Sequence, residues 1–187
     1  LESKGLEPMP HAFTILFDCV TKMSTKVDMD WLMDLAQSIE KKDIMNRHIL
    51  SAMINAVSRQ DLKDEHIQFV FKAFHNLRQQ LSPGNAVYAT LLQFCVRCEI
   101  PERSMEIWSM IKEDGFTPNG HIYSSLLKAC SAIRDRPVSK FIADVSKRLR
   151  ADWKQSKRKR ETESEMCVAF NALLQDRKST RLNSSHT

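Results

Sequence analysis

The stretch GNAVYATLLQFCVRCEIPERSMEIWSMIKEDGFTP, Gly84 to Pro118, decides the fold. Tyr88, Leu91, Leu92 and Cys95 fall at i, i+3, i+4 and i+7, which places four apolar groups on one stripe of a helix with about 3.6 residues per turn. Polar residues then interrupt the stripe. Pro101 suits the first turn of a second helix, whose Met105, Ile107, Trp108 and Ile111 face inward until Gly115 and Pro118 end it. The stretch therefore reads as two helices joined by a short turn.

The same spacing recurs outward in both directions. Downstream, NGHIYSSLLKAC from Asn119 sets Tyr123, Leu126, Leu127 and Cys130 on an equivalent stripe. Upstream, Phe13, Leu16, Phe17 and Val20 form it, and Leu50, Met53, Ile54 and Val57 form it again. Phe170, Leu173 and Leu174 begin a further copy, and Gly5 and Pro8 echo Gly115 and Pro118. A helix pair of about 35 residues cannot bury its own apolar face, so the copies must stack. The expected architecture is all-α, a right-handed α-solenoid of stacked antiparallel helix pairs.

Taken in order, residues 1–8 read as the end of a preceding repeat, so the true N-terminus and any targeting segment are expected to lie outside this sequence. Repeat 1 spans 9–45, with helices near Pro10–Met23 and Asp28–Lys42; Leu32, Leu35 and Ile39 line the second, and Asp28 can cap it. Repeat 2 spans 46–83, with helices near Arg47–Ser58 and Lys63–Leu81, the second placing Phe74 and Leu77 where Trp108 and Ile111 stand. Repeat 3 is 84–118. Repeat 4 is 119–153, with Pro137, Phe141, Ile142 and Val145 in its second helix. The spacing then breaks at a charged insertion, 154–165, before repeat 5 opens at 166–175.

In that insertion Lys154, Lys157, Arg158, Lys159 and Arg160 are followed at once by Glu161, Glu163 and Glu165. Such a run is either a phosphate-binding or import patch or a solvated helix end, and sequence alone leaves both open. The last twelve residues, DRKSTRLNSSHT (176–187), resemble an in-frame translation of a sequencing-library adapter and are set aside from fold reasoning. Without them the formal charge drops from +5 by two, a mild basicity that suits a polyanionic partner.

Composition excludes several classes. No apolar run approaches the ~18 residues of a membrane span, so no membrane partner is expected. Five cysteines do not make a disulfide framework; Cys95 and Cys130 hold the same repeat position, and the Cys95/Cys98 pair lacks the second pair or histidine cluster of a zinc site. No metal, cofactor or small-molecule substrate is expected. Catalysis is not expected either: the chain has no phosphate-cradling glycine loop, no HExxH and no zinc-deaminase pattern.

The Y-x-x-L-L helix start, the small residue seven after the aromatic, the closing G-x-x-P and the 35-residue pitch together resemble the pentatricopeptide repeat (PPR) family. The resemblance covers residues 1–175, is closest over Gly84–Pro118, and is weakest in repeat 2, where Leu50 replaces the aromatic. The tetratricopeptide repeat is a similar hairpin of about 34 residues, but its W-x2-L-G-x2-Y string is absent.

The PPR resemblance implies a superhelix that holds single-stranded RNA, one base per repeat, and acts in organellar RNA processing, stability or translation in the mitochondrion or chloroplast. It implies base reading by the residue after each aromatic position, Thr14, Ser51, Ala89, Ser124 and Asn171, with Asn46, Gly84 and Asn119 as second reading positions opening the following repeat. Amides and hydroxyls suit that task because they donate and accept toward a base edge. Thr14 with Asn46 resembles an adenine-preferring pair; Ser51 with Gly84 and Ala89 with Asn119 depart from the common pairs. Base stacking would fall to His11, His48, Ala86 and His121, with Val168 in the same register. Phosphate contacts would fall to Lys22, Arg59 and Arg97, the equivalent position in repeat 4 being Ala132. The alternative from another class is a tetratricopeptide-like scaffold that binds protein partners, and a catalytic domain outside these residues is compatible with either.

Overall fold

A computed structural model describes residues 9–132, apart from residue 24, and 138–156. Among the described residues there are eight helices and no strand: α1 Pro10–Lys22, α2 Met29–Lys41, α3 Arg47–Val57, α4 Asp64–Gln80, α5 Gly84–Arg97, α6 Arg103–Glu113, α7 Gly120–Ala132 and α8 Val138–Ser156. The chain divides into two compact units, residues 1–94 and 95–187, with the division falling inside α5. Expectations for Gly5, Pro8, Pro137, Phe170, Leu173, Leu174 and the tail lie outside the described residues.

Local signals set the helix ends. Pro10 opens α1, where its missing N–H is one the helix leaves unpaired anyway. The Asp28 carboxylate accepts from the Asp30 N–H at 3.0 Å to start α2. Asn46 Oδ1 accepts from the backbone of His48 at 2.9 Å and Ile49 at 3.0 Å to start α3, and Asn119 Oδ1 accepts from Ile122 at 3.1 Å to start α7. At the opening of α4 the buried His66 folds back, its Nδ1 accepting from the Lys63 N–H at 3.1 Å. Three helices end in a left-handed residue: Asp43 (φ 53) after α2, Glu99 (φ 57) after α5 and Gly115 (φ 67) after α6. Pro101 departs slightly from expectation. It stands in a turn ahead of α6, its carbonyl accepting the Ser104 N–H at 3.0 Å and the Ser104 hydroxyl.

In unit 1, α3 packs against α1, α2 and α4. Ile49, Leu50, Met53 and Ile54 are fully buried at its centre. Phe74 of α4 meets Tyr88 edge-on with ring centroids 5.5 Å apart, and Phe71 meets Phe94 at 6.4 Å. Polar contacts link equivalent places in successive hairpins: Gln60 Oε1 accepts the Val27 N–H, 33 residues away, Lys26 pairs with Asp61, 35 away, Arg47 Nε donates to the Ser82 carbonyl, 35 away, and Asn76 Nδ2 to Glu40 at 36. These four contacts join residues 33 to 36 apart in the sequence.

In unit 2, α7 packs against α6 and α8. Val145 and Leu149 of α8 are fully buried, with Phe141 and Ile142 half-buried at their flanks. The Trp108 and Tyr123 rings lie 6.0 Å apart, and each donates to a carboxylate of α8: Trp108 Nε1 to Asp144 and the Tyr123 hydroxyl to Asp152.

Expected core positions shift in α1, α2 and α6, where Met105 is half-buried. Leu35 is half-buried while its neighbour Ala36 is buried, because 32, 36 and 39 centre the inward stripe of α2 and position 35 sits on its edge. In α1 only Phe17 and Val20 are buried; Phe13 is half-buried and Leu16 is 36% exposed. The helix turns Phe17 and Val20 toward α3 and leaves Ile15, Leu16, Met9 and Met23 on open faces.

Candidate nucleic-acid interface

α1, α3 and α5 each use one side for the core and leave the other more open, whereas α7 is buried over most of its surface. His11, His48 and His121 are the second residues of α1, α3 and α7, Ala86 is the third of α5, and all four are exposed. Lys22 and Arg97 close α1 and α5, Arg59 stands just past the end of α3, and these three are also exposed. Each basic residue follows its partner position by eleven; within α1 and α5 that is close to three full turns, so His11 and Lys22, and Ala86 and Arg97, sit within about 20° of one another and roughly 16 Å apart along the axis. The buried stripe lies opposite. Each of the first three copies therefore carries a cation at the C-terminal end of its outward side, and two of them, α1 and α3, also carry an imidazole at the N-terminal end.

The base-reading positions lie between these sides. The residue after the aromatic position is turned about 60° from the histidine position, toward the core. Thr14, Ser51 and Ala89 are half-buried accordingly. Ser124 differs from the open placement its role needs, since only 7% of it is exposed. The reason is local: α7 is held by α6 and α8 together, and Gly120 and Ser125 on it are buried as well. Ser51 is unusual in another way, because its Oγ is buried and has no hydrogen-bond partner.

The second reading positions have a structural task that the sequence resemblance did not anticipate. Asn46 and Asn119 are helix caps, their side-chain oxygens already taken by backbone N–H groups. For Asn46 this leaves the amide nitrogen, a donor, to face a ligand. Gly84 holds the equivalent place at φ +76, with nothing within 4 Å of where a Cβ would stand. Asn171 and Val168 lie outside the described residues.

Other chemistry is sparse. Burial pushes the Cys95 thiol up to about 12, with Cys98 beside it adding to the rise, and burial pushes Cys98 up to about 11. Both therefore stay protonated at neutral pH, the opposite of what a thiolate nucleophile or metal ligand requires. Among the described residues no group of three His, Cys, Asp or Glu is placed to hold a metal ion, and no helix is long and apolar enough to cross a membrane. A depression of about 170 Å³ in unit 1, bordered by Glu40, Asp43, Asn76 and Gln80, is smaller than the roughly 300 Å³ at which small-molecule sites begin, and its acidic rim would repel an anion. Compared with known proteins, the chain matches no family model, no curated protein and no solved structure.

Proposed function

We propose that this chain is a PPR-like RNA-binding segment whose hairpins stack as a right-handed α-solenoid and hold single-stranded RNA along the first helices. The observation that carries the reading is the repeated outward side: His11 with Lys22 on α1, and His48 on α3 with Arg59 just past its end, all exposed at matching positions. An imidazole can stack on a base, and a cation three turns away can meet the backbone phosphate. The half-buried Thr14 would then read a base edge, with Asn46, Gly84 and Asn119 beside the neighbouring base, while the buried Ser51 hydroxyl and the Ala89 methyl offer no open hydrogen-bonding group. Ser124, being buried, contributes least to this reading. An organellar role in RNA processing, stability or translation, in the mitochondrion or chloroplast, follows from the PPR resemblance alone.

Filter binding at low salt tests the proposal. Single-stranded RNA should be retained with weak, salt-sensitive affinity, because so few repeats give few phosphate contacts. Equal retention of duplex and single strand would overturn it. The competing reading, a tetratricopeptide-like scaffold for protein partners, would be favoured by a co-purified peptide in the absence of nucleic acid.

A further inference from the structure

Helix α8 carries a second cationic surface that the base-reading scheme does not use. Lys140, Lys147 and Lys154 are spaced by sevens, two helical turns less about 20°, so they form a row some 21 Å long on one side of the helix. Arg150 falls within the same wedge, and all four side chains are exposed. One acidic residue borders the row: Asp144, about 40° from Lys140. Its carboxylate already has partners on α6, accepting from Trp108 Nε1 at 2.8 Å and from Lys112 at 3.1 Å, while Asp152, on the far side of the helix, accepts from Tyr123 and from Arg148 Nε at 3.1 Å. The Lys147 charge does reach Asp144, helping to hold its carboxyl below the usual range behind the Trp108 and Lys112 hydrogen bonds.

We propose that this row is a sequence-independent docking surface for the phosphate backbone of RNA, reinforcing the single-stranded binding proposed above, on which the inference rests. Charge complementarity selects the occupant. The wedge presents cations separated by small residues, with no aromatic to stack on a base and no amide to read one, so it can register phosphates but not sequence. A membrane surface is disfavoured because the apolar side of α8 is spent in the core, where Val145 and Leu149 are fully buried, leaving nothing to enter a bilayer.

The test is fluorescence anisotropy of the full chain with a labelled oligouridine across a potassium chloride series, using K140Q/K147Q/R150Q/K154Q, the arginine variant K140R/K147R/K154R and the first-helix variant H48A/R59A. The glutamine variant should lose affinity on the order of 10- to 100-fold at low salt, and its log–log salt slope should flatten by about 2 to 3, near 0.7 per lost single-strand contact. The arginine variant should keep both. If the glutamine variant does not fold, the pairs K140Q/K147Q and R150Q/K154Q should each flatten the slope by about half as much. Unchanged slope and affinity in the glutamine variants, with loss in H48A/R59A, would overturn the α8 surface and leave the proposed function standing. Loss in the glutamine variant with none in H48A/R59A would support α8 and remove the first-helix reading. Unchanged RNA binding with lost retention on phosphatidylserine vesicles would overturn the α8 proposal in favour of a lipid surface, and no RNA binding by the wild type would overturn both.

Discussion

Trp108 Nε1 donates to Asp144 Oδ2 at 2.8 Å, and the two residues stand 36 apart in the sequence, one repeat length. The indole is almost fully buried, and the hydrogen bond meets an ionised carboxylate at the edge of the core. Lys112 joins the same oxygen at 3.1 Å and lies 5.8 Å over the indole ring. This cluster ties α6 to α8.

Replacing Trp108 by Phe removes that donor and some buried ring, and should cost about 2–4 kcal/mol at neutral pH. Asp144→Asn should cost less, about 1 kcal/mol, because half of the Asp144 side chain is open to water. The folded-state carboxyl of Asp144 is held below its ordinary value, first by the Trp108 bond, so its contribution is complete above the unfolded pKa and disappears as pH falls through the lower folded one. Urea unfolding at pH 7 and pH 3 should therefore show the wild type's advantage over Asp144→Asn shrinking in acid. An equal gap at both pH values contradicts the assignment.

Tyr123 works in the other direction. Burial and the bond to Asp152 raise its phenol well above its ordinary range. A raised acid holds its proton in the folded state after the unfolded chain has lost it, so the contribution is complete below about pH 10 and declines as pH rises further. Tyr123→Phe should be less stable than wild type at pH 8, with the gap narrowing above pH 10. A gap that does not change with alkali excludes the buried phenol as its source.

Glu99 occupies the left-handed position after α5 that glycine fills after α6. A side chain there costs about 1 kcal/mol relative to glycine. Glu99→Gly should raise the melting temperature by an amount corresponding to about 0.5–1 kcal/mol, and Gly115→Ala should lower it by a similar amount. Opposite signs would mean that Glu99 makes a compensating contact.

The Ser51 hydroxyl is buried without a partner, a burden of about 1–3 kcal/mol. Ser51→Ala should leave stability unchanged or raise it. If the hydroxyl is retained for an RNA base, the same substitution should alter the preference among homopolymers. Clear destabilisation in thermal melts would show instead that the hydroxyl is bonded in the free protein.

Much of the helical layout was legible because each apolar stripe is written at the helical period. Tyr88, Leu91, Leu92 and Cys95 are all fully buried, and so are Ile107 and, nearly, Trp108 and Ile111. The paired carboxylates of α8 were not legible. Asp144 and Asp152 look like ordinary solvent-facing charges until Trp108, 36 residues away, and Tyr123, 29 residues away, are placed against them. Asn46 and Asn119 were ambiguous for a related reason, since the same amide that can meet a base also caps the helix it precedes. The burial of Ser124 depends on how closely α6 and α8 hold α7, which no single-helix pattern encodes.

The most direct measurement is the affinity of His48→Ala/Arg59→Ala for single-stranded RNA, set beside its melting temperature. Both residues are exposed and far from the core, so RNA binding should weaken while the melting temperature stays within a degree or two of wild type. Unaltered binding to RNA with an unaltered melting curve would contradict RNA recognition by the first helices.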